Sequence, residues 1–320
     1  MLTKFVVCAT NDKIWNLPDL VKFLSASQHT VINLTIIPEA ICLEYIGLYK
    51  LLDCFEFLQV NIVTENTLEF HYRYNIINPW KNQWLAHQPT IANELHTWTR
   101  TKKFLAFYHR PTASRLGLAS YLFAHYRDQS SIHFSYKTDL DRLKLYEFDK
   151  MVLFRVDSLS EVSTMLPYMP LYAYKNHDVD EIMKSYDYSR DPGITMYQDI
   201  FVDIISETHV AGNTFYPTEK TARAMWLKKP FIIFASKNYL CHLRQMGFRT
   251  FDDFWDENYD GYDDRERYTR ILKLIDSIAK KSPNELEKMY WDMQYSLDHN
   301  YDLLLNQSYS TNITKLIEGT

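Results

Sequence analysis

Two cations occupy positions where a helix start ordinarily carries acids. In "FYPTEKTARAMWLKKPFIIF", Thr218 fits a helix N-cap, and Glu219 and Lys220 follow it in the first turn. An N-cap threonine accepts a hydrogen bond from the backbone N–H groups behind it. The helix dipole then favours Glu219 and opposes Lys220. Upstream, "YHRPTASR" sets Arg110 just ahead of a helix beginning at Pro111 or Thr112, with Arg115 in its first turn or so. A bound anion would resolve both mismatches, since free N–H groups at a helix start form an anion site. Arginine's planar fork suits a diphosphate. On this reading Lys220 neutralises a phosphate and Glu219 accepts from a pair of ribose hydroxyls. On the competing reading Glu219 is a dipole-matched surface acid, and Lys220 and the arginines are merely solvated. Spacing alone leaves both open, and it gives His109 a structural role.

These residues need strands to hold them. "KFVVCAT" (4–10) and "TVINLTIIP" (30–38) are β-branched runs separated by the helical spacing of "PDLVKFLSAS", which is the start of a parallel sheet. A helix over 40–53 and a strand over 56–64 follow, then loop and a linking helix through 70–99. The pattern restarts with strand 102–110, helix 112–127 and strand 131–136. It resumes with strand 198–206, ending at Glu207, then helix 218–229 and strand 230–236. One long helix is expected over 284–307. The restart near residue 100 implies two α/β lobes with a cleft between them. The boundaries expected are 1–98, 99–283 and a C-terminal helix and tail, 284–320.

Composition sets limits. The 320 residues carry 46% hydrophobic side chains and a net charge of −5, which gives no global pull toward nucleic acid. Residues 95–127 nevertheless hold six Lys/Arg and no carboxylate, a local basic stretch that suits a small polyanion. "DENYDGYDD" (256–264) lacks EF-hand spacing and is read as a solvated acidic loop. Cys8, Cys42, Cys54 and Cys241 lack metal-site spacing, and three of them are expected to be buried thiols. No Gly-rich dinucleotide or P-loop motif is present, nor HExxH or GxSxG. With no secretory signal and no run of 18 apolar residues, a cytoplasmic location is expected.

"DIFVDIISET" followed by "YPTEKTARAMWLKKPFIIF" resembles the sugar-nucleotide-binding signature of α1,3-fucosyltransferases. In that signature an apolar strand leads to Thr-Glu-Lys, a helix, and a short apolar strand after a proline. "FYHRPTASRLGLASYL" resembles the family segment whose helix-start arginine contacts the nucleotide diphosphate. "LRQMGFRTFDDFWDENYD" (243–260) resembles glycosyltransferase-like proteins of viral and bacterial genomes. The likeness covers roughly residues 102–260. The chain departs from the signature at Thr208, where the family has Asn.

The resemblance implies two Rossmann-like lobes of GT-B type, with the donor in the C-terminal lobe. Glu219 would hold the ribose, Lys220 and Arg115 the phosphates, and Glu207 would sit beside the strand-end pocket; Arg110 and Thr218 complete the donor set. It implies metal-independent transfer of a sugar from a nucleotide-diphosphate donor to a carbohydrate or other hydroxyl acceptor. No cofactor is needed beyond that donor substrate. The general base would come from the N-terminal lobe. Glu39, at the end of "INLTIIP", is preferred to Glu65 and Glu94. Two alternatives stand beside this reading: a phage-type transferase acting on DNA bases, and a non-catalytic nucleotide- or carbohydrate-binding protein.

Overall fold

The computed structural model describes residues 3–10, 13–27, 31–37, 41–66, 68–69, 71–78, 98–108, 112–134, 159–171 and 196–306. The described residues fall into two compact units. One takes in those of 1–86 together with 211–217, the other those of 87–210 and 218–307. No helix among them is long and apolar enough to cross a membrane.

The first unit is built on β1 (Thr3–Thr10), β2 (Lys13–Ile14), β3 (Val31–Ile37), β4 (Gln59–Val63) and β5 (Asn75–Ile77), in the order β2-β1-β3-β4-β5. All neighbours are parallel except β2, which turns back on β1. Helices α1 (Leu17–Ala26) and α2 (Leu48–Asp53) bury Leu20, Leu24, Leu48 and Leu52. In β3, Ile32, Leu34 and Ile36 are buried and the residues between them are not, the period of two expected where one face is drier than the other. On the other phase an amide ladder runs across three strands in register. Asn61 Nδ2 donates to Asn33 Oδ1 at 2.7 Å, and Asn75 Nδ2 to Asn61 Oδ1 at 3.0 Å.

Three expectations need correction here. The helix expected over 40–53 begins only at Leu48. Gly47 before it sits at φ 73°, a left-handed conformation that glycine adopts without steric cost, and this interrupts the run. Strand β5 lies within 70–99, where loop was expected, because three residues offer no periodicity to read. Third, none of the four cysteines is buried. Cys8, for example, takes the outward phase of β1 between buried Val7 and Ala9.

The second unit holds β6 (Phe104–Tyr108), α3 (Ala113–Tyr126), β7 (Ser130–Phe134), α4 (Leu159–Met165), α5 (Met196–Asp199) and β8 (Val202–Ser206). It continues through α6 (Glu219–Trp226), β9 (Phe231–Phe234), α7 (Tyr239–Gln245), α8 (Asp264–Ala279), α9 (Pro283–Asp292) and α10 (Gln294–Asn306). Its four strands are parallel in the order β7-β6-β8-β9. Every residue of β6, β8 and β9 is buried, as in parallel sheets covered on both faces.

The single helix expected over 284–307 is two, α9 and α10, separated by a turn at Met293. Gln294 Nε2 donates to the Tyr290 carbonyl at 3.1 Å, the oxygen that the Gln294 backbone N–H would take in an unbroken helix.

Candidate functional site

Where successive crossovers of a parallel sheet leave in opposite directions, the carboxyl ends of the central strands part and form a crevice that ligands use. In the second unit this point lies between β6 and β8. Strand β6 leads through α3 to β7 on one side, and β8 leads through α6 to β9 on the other. The right-handed rule for such crossovers puts α3 and α6 on opposite faces. The parallel strands described in the first unit advance in one direction only and make no such reversal. The β6–β8 ladder is also short, covering Phe104 with Val202 and Leu105 with Asp203. Beyond it Tyr108 Oη donates to the Ile204 carbonyl at 2.7 Å, which satisfies a backbone acceptor that the ladder has left.

Arg115 reaches this point from the α3 side. Thr112 caps the helix, accepting from Arg115 N at 3.4 Å. Ser114 Oγ meets Ser206 Oγ at 3.0 Å, which ties the start of α3 to the end of β8. Arg115 is 5% exposed, and its Nε donates to the Ser206 carbonyl at 3.4 Å.

Thr218, Glu219 and Lys220 approach from the α6 side, and Glu207 anchors them. The buried Glu207 carboxylate accepts from Thr218 N at 3.2 Å, Thr218 Oγ1 at 2.5 Å, Thr221 Oγ1 at 2.6 Å and Tyr239 Oη at 3.1 Å. Lys220 Nζ donates to Thr218 Oγ1 at 3.0 Å and Glu219 Oε1 at 2.9 Å, and lies 3.9 Å from Glu207 Oε2. Glu207 is thus engaged inside the protein, pinning the first turn of α6 to the end of β8. The Glu219 side chain stays 37% exposed. Burial pushes its carboxyl up, but Lys220, followed by Arg223, outweighs this and holds it at about 2, so it is ionised at neutral pH.

His209 was not distinguished by spacing, yet the structure brings it into the group. It is 7% exposed. Burial first, then the charges of Lys220 and Arg115, push its imidazole down to about 4. One buried, neutral ring therefore feels both cations. Behind α6, Tyr197 Oη donates to Asp203 Oδ2 at 2.5 Å and accepts from Arg223 Nε at 2.7 Å. Burial raises Asp203 to about 6, against the pull of Arg223. Tyr197 and Asp203 are buried within helix and strand, and His209 is buried in the loop after β8, positions that spacing does not mark.

Arg110 and Glu39 lie outside the described residues. The "DENYDGYDD" loop is not the solvated segment expected, since Glu257 and Asp260 are each 5% exposed. Asp260 accepts from Leu240 N and Cys241 N, both at 3.0 Å, and so caps α7. Glu257 accepts from Phe251 N at 2.9 Å and pairs with Arg244 at 3.0 Å. Orphan N–H groups of a loop and a helix start drew these acids inward. Among the described residues no three His, Cys, Asp or Glu side chains gather as a metal site would require.

The chain is therefore an α/β protein with two largely parallel sheets, and in its second unit two helix starts meet at a strand-order reversal. No family model matches it, and no curated protein or solved structure does so either.

Proposed function

We propose that the protein is a glycosyltransferase of GT-B type that moves a sugar, fucose being one candidate, from a nucleoside-diphosphate donor to an acceptor hydroxyl. The observation that carries this reading is the convergence of Arg115 and Lys220, from helices on either side of the β6–β8 reversal, on the end of β8, where Arg115 Nε donates to the Ser206 carbonyl at 3.4 Å and Lys220 Nζ lies 3.9 Å from Glu207 Oε2. A crevice with two helix N-termini and two cations is suited to a diphosphate. In the reaction the acceptor oxygen attacks the anomeric carbon and the carbon–oxygen bond to the diphosphate breaks. The nucleoside diphosphate leaves with the electron pair, and the acceptor proton passes to a base, for which we propose Glu39. Arg115 and Lys220 answer the charge growing on the leaving group, an electrostatic stabilisation already in place before the bond breaks.

A second reading has an observation of its own. Lys220 is already bonded to Glu219 at 2.9 Å, as it would be if the pair only opened a helix in a non-catalytic protein. A thermal-shift panel of UDP-, GDP-, dTDP- and CMP-sugars tests for the donor binding that a bare helix start would not show. The transferase reading expects a diphosphate donor to raise the melting temperature; at 100-fold excess over its dissociation constant this is worth about 2.7 kcal/mol. No shift with any donor would remove it.

A further inference from the structure

A cavity away from the β6–β8 reversal lies between α8, the 254–256 loop and α9. Its volume is about 380 Å³, within the range of small-molecule sites. Buried Trp255, Leu274 and Ile278, with half-buried Met289, give it an apolar lining. The charged lining residues are Arg270, Lys273, Lys281 and Asp256, three cations against one carboxylate in a chain of net charge −5. That carboxylate is engaged, since Asp256 Oδ1 accepts from Asn258 N at 2.9 Å. Glu266 answers Arg270 at 2.8 Å. Glu285, which feels Lys281, has one oxygen taken up by Ser282 N and Oγ, each at 2.7 Å. Among the described residues neither Lys273 nor Lys281 forms an ion pair. The wall also contains a buried donor, Trp255 Nε1, that meets no acceptor there.

The geometry points to a binding site for a small amphipathic anion, with its apolar body against Trp255, Leu274 and Ile278 and its charged head at Lys273 and Lys281. An apolar recess with a few convergent charges is the usual build of a small-ligand site. Charge complementarity selects an anion over a neutral or cationic body of the same shape. The inference does not depend on the proposed transferase activity.

The test titrates the full chain with 1-naphthyl phosphate and, separately, with 1-naphthol, by calorimetry. The phosphate is expected to bind at least about tenfold tighter than the neutral ring, as one charge-assisted contact allows. Lys273→Glu with Lys281→Glu should abolish that preference, while Lys220→Ala should leave it intact. Lys273→Gln alone, at an exposed position, provides the check if the double variant folds poorly, and should cut the preference about threefold. Ser277→Trp should block both ligands. Equal affinity for the two ligands, or no binding of either at millimolar concentration, would overturn the site. So would a preference lost in Lys220→Ala but kept in the Lys273/Lys281 variants, because the phosphate would then be occupying the donor site.

Discussion

Lys220 is the residue on which the functional proposal is most exposed. If it meets a donor diphosphate, Lys220→Ala removes a charge-assisted contact and should cost about 1.5–3 kcal/mol of donor affinity, roughly a 10- to 150-fold rise in dissociation constant by calorimetry. Unchanged affinity would reduce Lys220 to a partner of Glu219 and Glu207. Two other buried groups set a pH profile. Burial raises Glu257 from its ordinary 4.5 to about 7. Its stabilising contribution is therefore present below about 4.5 and is lost as pH rises through about 7. Burial lowers Lys229 from 10.5 to about 7. The unfolded chain then binds more protons between those values, so this contribution to stability grows as pH rises from about 7 toward 10.5. Melting curves from about pH 4.5 to 10.5 should show Glu257→Gln flattening the first trend and Lys229→Met the second. Of the site residues, Thr218, Glu219 and Arg115 were legible from helix-start spacing. The saturation of Glu207 and the inclusion of His209 were not, since both depend on side chains that meet only after folding.

Among the elements, α6 depends on its first turn. Thr218 is both its N-cap and a double donor to Glu207. Thr218→Ala should lower unfolding free energy by about 2–3 kcal/mol, combining a lost cap with a lost bond to a buried carboxylate. Thr218→Ser should recover most of it in urea titrations. An alanine variant as stable as the parent would mean Glu207 does not hold the helix. The strands β1, β3, β6, β8 and β9 were readable because β-branched and apolar runs bounded by turn residues leave few other options. The late start of α2 and the break between α9 and α10 were not. Each is decided by local backbone chemistry, Gly47 in the first case and the Gln294 amide in the second, inside a run whose hydrophobic spacing looks helical throughout.

On the scale of the molecule, charge and the strand-order reversal make the remaining predictions. With a net charge of −5, binding to duplex DNA should be weak and should collapse between roughly 50 and 200 mM salt in a filter or anisotropy assay. Salt-resistant retention would favour the DNA-base acceptor instead. Donor binding should survive EDTA, because Arg115 and Lys220 supply the neutralising charge; binding restored only by manganese or magnesium would refute that assignment. The most direct measurement is a crystal structure of the full chain with GDP or UDP, whichever the thermal-shift panel ranks higher. The diphosphate is expected beyond Ser206, between the first turns of α3 and α6, with its oxygens within hydrogen-bond reach of Arg115 and Lys220. A nucleotide seated elsewhere, with Lys220 still bonded to Glu219 and no phosphate beside Arg115, would contradict the central claim.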